Sequence, residues 1–191
     1  MIYRATKKSD IKILYWNING AKAKCEENKY LDFFVKYDII FLSELKCMLK
    51  LQVPGFETYR ANHIKGASHR GGLVVLIKPH ILPYVISINQ SIIDQIWLKI
   101  SILPHTLIGG VYIPPPDSKY YDLGYWSELQ ACLLEGIQEK HILLGDMNAH
   151  INLATELIDE QFNYIESKDK ANRNTNSSHL LNICVDQIAR F

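Results

Sequence analysis

The chain predicts an α/β fold in which two packed sheets carry helices on their outer faces. Three observations predict it. A strand–helix–strand unit opens the chain, several consecutive strands fill its middle, and a helix–strand pair with one more helix closes it. One doubly wound sheet would alternate strand and helix throughout, and this order does not.

Taken in order, Ile11 to Trp16 (IKILYW) reads as a strand running into the polar turn Asn17-Ile18-Asn19-Gly20. Glu27 to Tyr37 has helical spacing, with Leu31, Phe34 and Val35 on one face. Asp38 to Ser43 (DIIFLS) is a nearly continuous apolar strand, as expected for one covered on both sides. Gly72 to Ile77, Val85 to Ile88, Gln95 to Ile102 and Leu107 to Ile113 are the middle strands. The alternation of Ile96, Leu98, Ile100 and Ile102 calls for a half-buried one. Tyr125 to Ile137 is a second helix, with Trp126, Leu129, Leu133 and Ile137 on one stripe, and it leads into the strand His141 to Leu144. A polar stretch from Asp159 to Ser178 precedes a last helix, His179 to Ile188. No repeat, low-complexity tract or composition break marks a linker, so residues 1–191 read as one domain.

Composition narrows the function classes. Hydrophobic residues make up 48% and charged residues 21% of 191, which excludes a disordered, collagenous or coiled-coil chain. A chain this long buries roughly 70% of its unfolded surface and supports a sizeable core. No apolar run approaches the ~18 residues of a membrane span. The start, MIYRATKKSD, has no apolar segment after its basic residues, so no secretory signal is expected. Cys25, Cys47, Cys132 and Cys184 form no C-x-x-C pair, which argues against a disulfide framework or zinc cluster. The expected setting is a reducing one, nuclear or cytoplasmic, without membrane attachment. The net charge of +1 hides an asymmetry: residues 1–95 carry 14 Lys/Arg against 8 Asp/Glu, and residues 96–191 carry 7 against 12. A basic half can present one positive face to a polyanion, although on charge alone ordinary solvated surface is the better account and the asymmetry is a hint only.

Four apolar strands end in polar or aromatic residues: Asn17-Ile18-Asn19-Gly20, Ser43-Glu44-Leu45-Lys46, Tyr112-Ile113-Pro114-Pro115-Pro116 and Gly145-Asp146-Met147-Asn148-Ala149-His150. Singly, each also reads as an ordinary turn, strand end or packed aromatic. Together they suggest a reaction class. Hydrolysis of a phosphodiester needs a hard cation held by carboxylates, and Glu44 and Asp146 each follow a strand directly. Neutral donors for phosphate oxygens avoid repelling the substrate, and Asn17, Asn148 and the Tyr112 hydroxyl can serve. A carboxylate free of the cation can align and deprotonate the attacking water.

In this order, W-N-I-N-G, S-E-L-K, Y-I-P-P and G-D-M-N-A-H resemble the endonuclease/exonuclease/phosphatase superfamily. Within it the chain is most similar to the endonuclease domain of non-LTR (LINE-type) retrotransposon polyproteins, over roughly residues 11 to 188. Weaker echoes are Arg70-Gly71-Gly72, Trp97 and Leu180-Leu181-x-Ile183-Cys184. The resemblance implies a four-layer α/β sandwich of two mixed sheets flanked by helices. It implies Mg²⁺, with Mn²⁺ as a substitute, on Glu44 with Asn17 beside it. It implies Tyr112 and Asn148 on the scissile phosphate and Asp146 on the water, with Asn17 counted in the catalytic set and Asn19 shaping the turn. DNA is the implied partner, and the parent polyprotein would also carry a reverse transcriptase. From the charge imbalance, Lys22, Lys24, Lys65 and Arg70, expected in loops of the basic half, are the candidate phosphate contacts.

The family pattern continues with two further strands, an aspartate and a Ser-Asp-His. This chain ends at Ile188-Ala189-Arg190-Phe191 and contains no Ser-Asp-His; Ser9-Asp10 is followed by Ile11. The expectation is a domain lacking its C-terminal strands, with impaired activity and an exposed sheet edge. Three functions stay open: a Mg²⁺-dependent DNA endonuclease, a catalytically dead nucleic-acid-binding remnant, and a phospholipid or inositol-phosphate phosphoesterase. The DNA target and oligomeric state are open too.

Overall fold

The structure, a computed structural model, describes residues 10–46, 51–62, 72–136 and 138–149. Lys65, Arg70, His150, the polar stretch from Asp159 and the last expected helix lie outside the described residues. The first sheet contains β1 (Ile13–Asn17), β2 (Ile39–Ser43), β3 (Glu57–Arg60) and β4 (Leu73–Ile77) in the order β1-β2-β4-β3. The second contains β5 (Val85–Asn89), β6 (Gln95–Ile100), β7 (Thr106–Tyr112) and β8 (Lys140–Asp146) in the order β5-β6-β7-β8. Both sheets are mixed, with β1 parallel to β2 and β7 parallel to β8, the other neighbours being antiparallel. Parallel neighbours need a crossover, and helices supply both. Helices α1 (Ala21–Glu26) and α2 (Asn28–Phe34) connect β1 to β2, and α3 (Gly124–Glu135) connects β7 to β8.

Strand periodicity builds the layers. On β2, Ile40 and Leu42 face the helices with Ile18, Ala21, Cys25 and Phe34, while Ile39 and Phe41 face the second sheet. On β6, Ile96, Leu98 and Ile100 meet the first sheet, and Trp97 turns outward to Trp126, Leu129 and Leu133 of α3. The result is helix, sheet, sheet, helix. This is the expected four-layer sandwich. Among the described residues no helix is long and apolar enough to cross a membrane.

Several local expectations need correction. Helix α1 occupies a stretch expected to be loop, so Lys22 and Lys24 are helical. It buries only Ala21 and Cys25, too short an apolar pattern to stand out. Strand β3 was not expected either, because its sequence ETYR is polar and it lies on a sheet edge. Strand β6 is covered on both faces rather than half-buried, since α3 closes over Gln95 and Trp97. Val35 is 55% exposed, and the buried face of α2 centres on Phe34. Strand β8 runs to Asp146, so this carboxylate belongs to the strand's last residue rather than to the loop after it.

Candidate functional site

The site collects at the C-terminal ends of β1, β2, β7 and β8. Strand register sets the rows: Asn17 pairs with Ser43 on the first sheet, and Tyr112 with Asp146 on the second. The β1–β2 pairing then continues into both loops. Ile18 N–H donates to the Ser43 carbonyl at 3.0 Å, Gly20 N–H to that of Glu44 at 2.7 Å, and Ala21 N–H to that of Leu45 at 2.8 Å. This holds Asn19, Glu44 and Lys46 in left-handed backbone, with φ of 46, 52 and 50°. Such conformations cost non-glycine residues energy and cluster at functional sites.

Two side-chain bonds close the rows into one cluster. Asn17 Nδ2 donates to Asp146 Oδ2 at 2.7 Å, joining the sheets. The Tyr112 hydroxyl donates to Glu44 Oε1 at 3.2 Å, joining them again. Asn17 Oδ1 accepts the Asn19 N–H at 3.1 Å, and Asp146 Oδ1 accepts the Asn148 N–H at the same distance. Both are two-residue Asx turns, so the ordinary turn reading of these loops is correct and coexists with the cluster. Asn148, at φ 47°, also donates from Nδ2 to the Ile113 carbonyl at 2.9 Å. Gly145 lets β8 lie close against β7 just before the site: a Cβ there would lie 2.5 Å from the carbonyl oxygen of its partner Val111.

Burial tunes the phenols. Desolvation first, and the Glu44 carboxylate second, push the Tyr112 hydroxyl far above its ordinary value. Tyr15 is raised mainly by burial as well, and its hydroxyl donates to the Val111 carbonyl at 3.0 Å, a tie from β1 to β7 that sequence reading missed. Lys46 was missed too. Its ammonium lies 3.2 Å from Glu44 Oε2 and donates to Asn19 Oδ1. Of the expected DNA-contacting lysines, Lys22 is exposed on α1, whereas Lys24 turns inward to the Ile18 carbonyl and over the Trp16 ring.

The donor set is oxygen only: the Glu44 and Asp146 carboxylates, with Asn17 Oδ1 in the same cluster. Among the described residues no group of three or more His, Cys, Asp or Glu forms a metal cage. Such a set fits a hard cation that uses one or two carboxylates and keeps its waters, and does not fit a nitrogen–sulfur site. His80, His105 and His141 stand at the other ends of the strands, next to Asp38 before β2, before β7 and early on β8. None of these three can reach the cluster across strands of five to seven residues.

Residues 14–188 match the Endonuclease/Exonuclease/phosphatase family. The chain belongs to this family. A curated relative is the probable RNA-directed DNA polymerase from transposon X-element of Drosophila melanogaster, 28% identical over 149 residues. That match covers 73% of this chain, which spans only 15% of the relative's length. Among solved structures, an AP endonuclease from Archaeoglobus fulgidus superposes with a TM-score of 0.58 at 16% identity, covering 92% of this chain and 70% of that one. The 3′ phosphatase NExo from Neisseria, bound to product DNA hairpin, gives 0.61 at 17% identity, covering 93% and 71%. These likenesses establish the fold, and the family's three named activities share the hydrolysis of phosphate esters.

Proposed function

We propose that this family member is a divalent-cation-dependent DNA endonuclease of the retrotransposon type, hydrolysing a phosphodiester by water attack. The observation that carries the proposal is the pair of bonds joining Asn17 to Asp146 and Tyr112 to Glu44, which assembles oxygen donors from both sheets at one point. In this reading Glu44 and Asn17 hold the cation, Mg²⁺ or Mn²⁺. The cation, when bound, supplies charge neutralisation for the phosphate. Asp146 orients the attacking water and accepts its proton, and the hydrogen bonds from Asn17 and Asn148 set the direction of its carboxylate. Asn148 donates to the scissile phosphate without adding negative charge, and the Tyr112 hydroxyl does the same once its single proton turns from Glu44 Oε1 to the phosphate. Lys22 contributes a backbone-phosphate contact, and DNA is taken as the substrate by analogy with the Neisseria 3′ phosphatase, which is bound to a product DNA hairpin.

A second reading, nucleic-acid binding without cleavage, is favoured by one observation: no histidine of the described residues lies within reach of the cluster to protonate the leaving oxygen. The test is nicking of supercoiled plasmid by the purified chain with Mg²⁺, with chelator, and with Glu44→Gln or Asp146→Asn. Nicking lost in chelator and in both variants supports the endonuclease. Plasmid bound but left intact supports the second reading. Hydrolysis of an inositol phosphate in preference to plasmid would replace both.

A further inference from the structure

We propose that Lys46 is a displaceable counter-ion of the cation site, held on Glu44 until a divalent cation arrives and then released to a phosphate oxygen of the substrate. This rests on the reading of Glu44 as a cation ligand. Both Glu44 oxygens are engaged: Oε1 by the Tyr112 hydroxyl at 3.2 Å and Oε2 by the Lys46 ammonium at 3.2 Å. The second hold on Lys46 is Asn19 Oδ1, in the turn that follows Asn17. A cation binding at Oε2 therefore meets a resident positive charge. Two cations a few ångströms apart repel, so one oxygen does not keep both.

The local backbone is built for this pairing. Glu44 and Lys46 are both left-handed, and fully buried Leu45 anchors the segment between them. The loop is clamped by the bonds from Gly20 and Ala21, so the ammonium is placed by a stiff backbone while its side chain stays 40% exposed. A lysine released from Glu44 keeps a four-carbon stem and a point charge suited to a phosphate oxygen. Lys24 cannot do the same, because the Ile18 carbonyl and the Trp16 ring hold it.

The test is calorimetric titration of Mn²⁺ into the full chain and into Lys46→Met, Lys46→Arg and Glu44→Gln. An exposed pair of this kind limits the competitor's effect, so Lys46→Met is expected to bind Mn²⁺ about 5-fold more tightly. Lys46→Arg should stay close to the parent. In the presence of Mn²⁺, Lys46→Met should also bind duplex DNA more weakly, with the salt slope reduced by about one. Unchanged or weaker Mn²⁺ binding by Lys46→Met, while Glu44→Gln loses binding, overturns this inference and leaves the function proposal standing. Equal Mn²⁺ binding by the parent and Glu44→Gln overturns the ligand role of Glu44, and this inference with it.

Discussion

At Tyr112 the burial that packs the ring also decides what its hydroxyl can do. Tyr112, the last residue of β7, is 6% exposed, and desolvation and Glu44 raise its hydroxyl well above the ordinary phenol range. With Glu44 beside it, the hydroxyl is therefore held as a donor. Tyr112→Phe should lower nicking by about 10²-fold, the typical loss for one positioned donor. The pH–rate profile of the parent should show no break near the ordinary phenol value of about 10. A break there that Tyr112→Phe removes would show a titrating phenol instead. The two lysines of α1 separate in the same way. Lys22 is exposed, so Lys22→Ala should reduce the salt slope of DNA binding by about one, as for a single phosphate contact. Lys24 donates to the Ile18 carbonyl, so Lys24→Ala should lower the thermal midpoint and leave that slope unchanged. Fluorescence anisotropy across a salt series reads the first effect, and thermal unfolding the second.

Strand β8 carries a structural group at one end and Asp146 at the other. His141 Nε2 is buried without a hydrogen-bond partner among the described residues, and burial pushes its pKa below the ordinary value. Between that lowered value and about 6.5 the unfolded chain binds more protons than the folded one. Stability is thus full above about 6.5 and lost as pH falls through the folded value. The thermal midpoint should fall between pH 7.5 and 5.5, and His141→Leu should flatten the fall. Equal slopes for both proteins would assign the loss to other groups. The two ends of β8 were unequally legible in sequence. Asp146 and Asn148 stood out in the chain as polar residues at the end of an apolar strand, and likewise Asn17, Glu44 and Tyr112, and the fold brings these five together. His141 carried no pattern, since its burial depends on Leu107 and Gly136 brought near by tertiary packing. Strand β3 and helix α1 escaped for a related reason: one is a polar edge and the other buries two residues. Lys46 was visible in the chain, but its pairing with Asn19, 27 residues away, exists only in the fold.

Across the whole molecule, the cluster depends on how two sheets face each other. Asn17 and Glu44 come from the first, Tyr112, Asp146 and Asn148 from the second, and the packed interior between them sets the spacing together with the bonds that cross it. Phe41 is central to that interior. It is fully buried on β2, two residues before Ser43, and its ring lies where a Cβ of Gly110 would be, two residues before Tyr112. The glycine lets β7 approach the ring closely, so a change at Phe41 alters the distance between the rows that carry Glu44 and Tyr112. Leu133 offers a control, because it is buried just as well but packs in the outer layer between α3 and the second sheet. Phe41→Leu and Leu133→Val should each cost about 1 kcal/mol, as near-conservative core changes do. At a temperature well below both unfolding midpoints, Phe41→Leu should lose activity and Leu133→Val should keep it. Urea unfolding gives the stabilities and plasmid nicking the rates. Equal loss of rate in the two variants would mean that activity follows overall stability, and that the spacing between the sheets has no separate part in assembling the site.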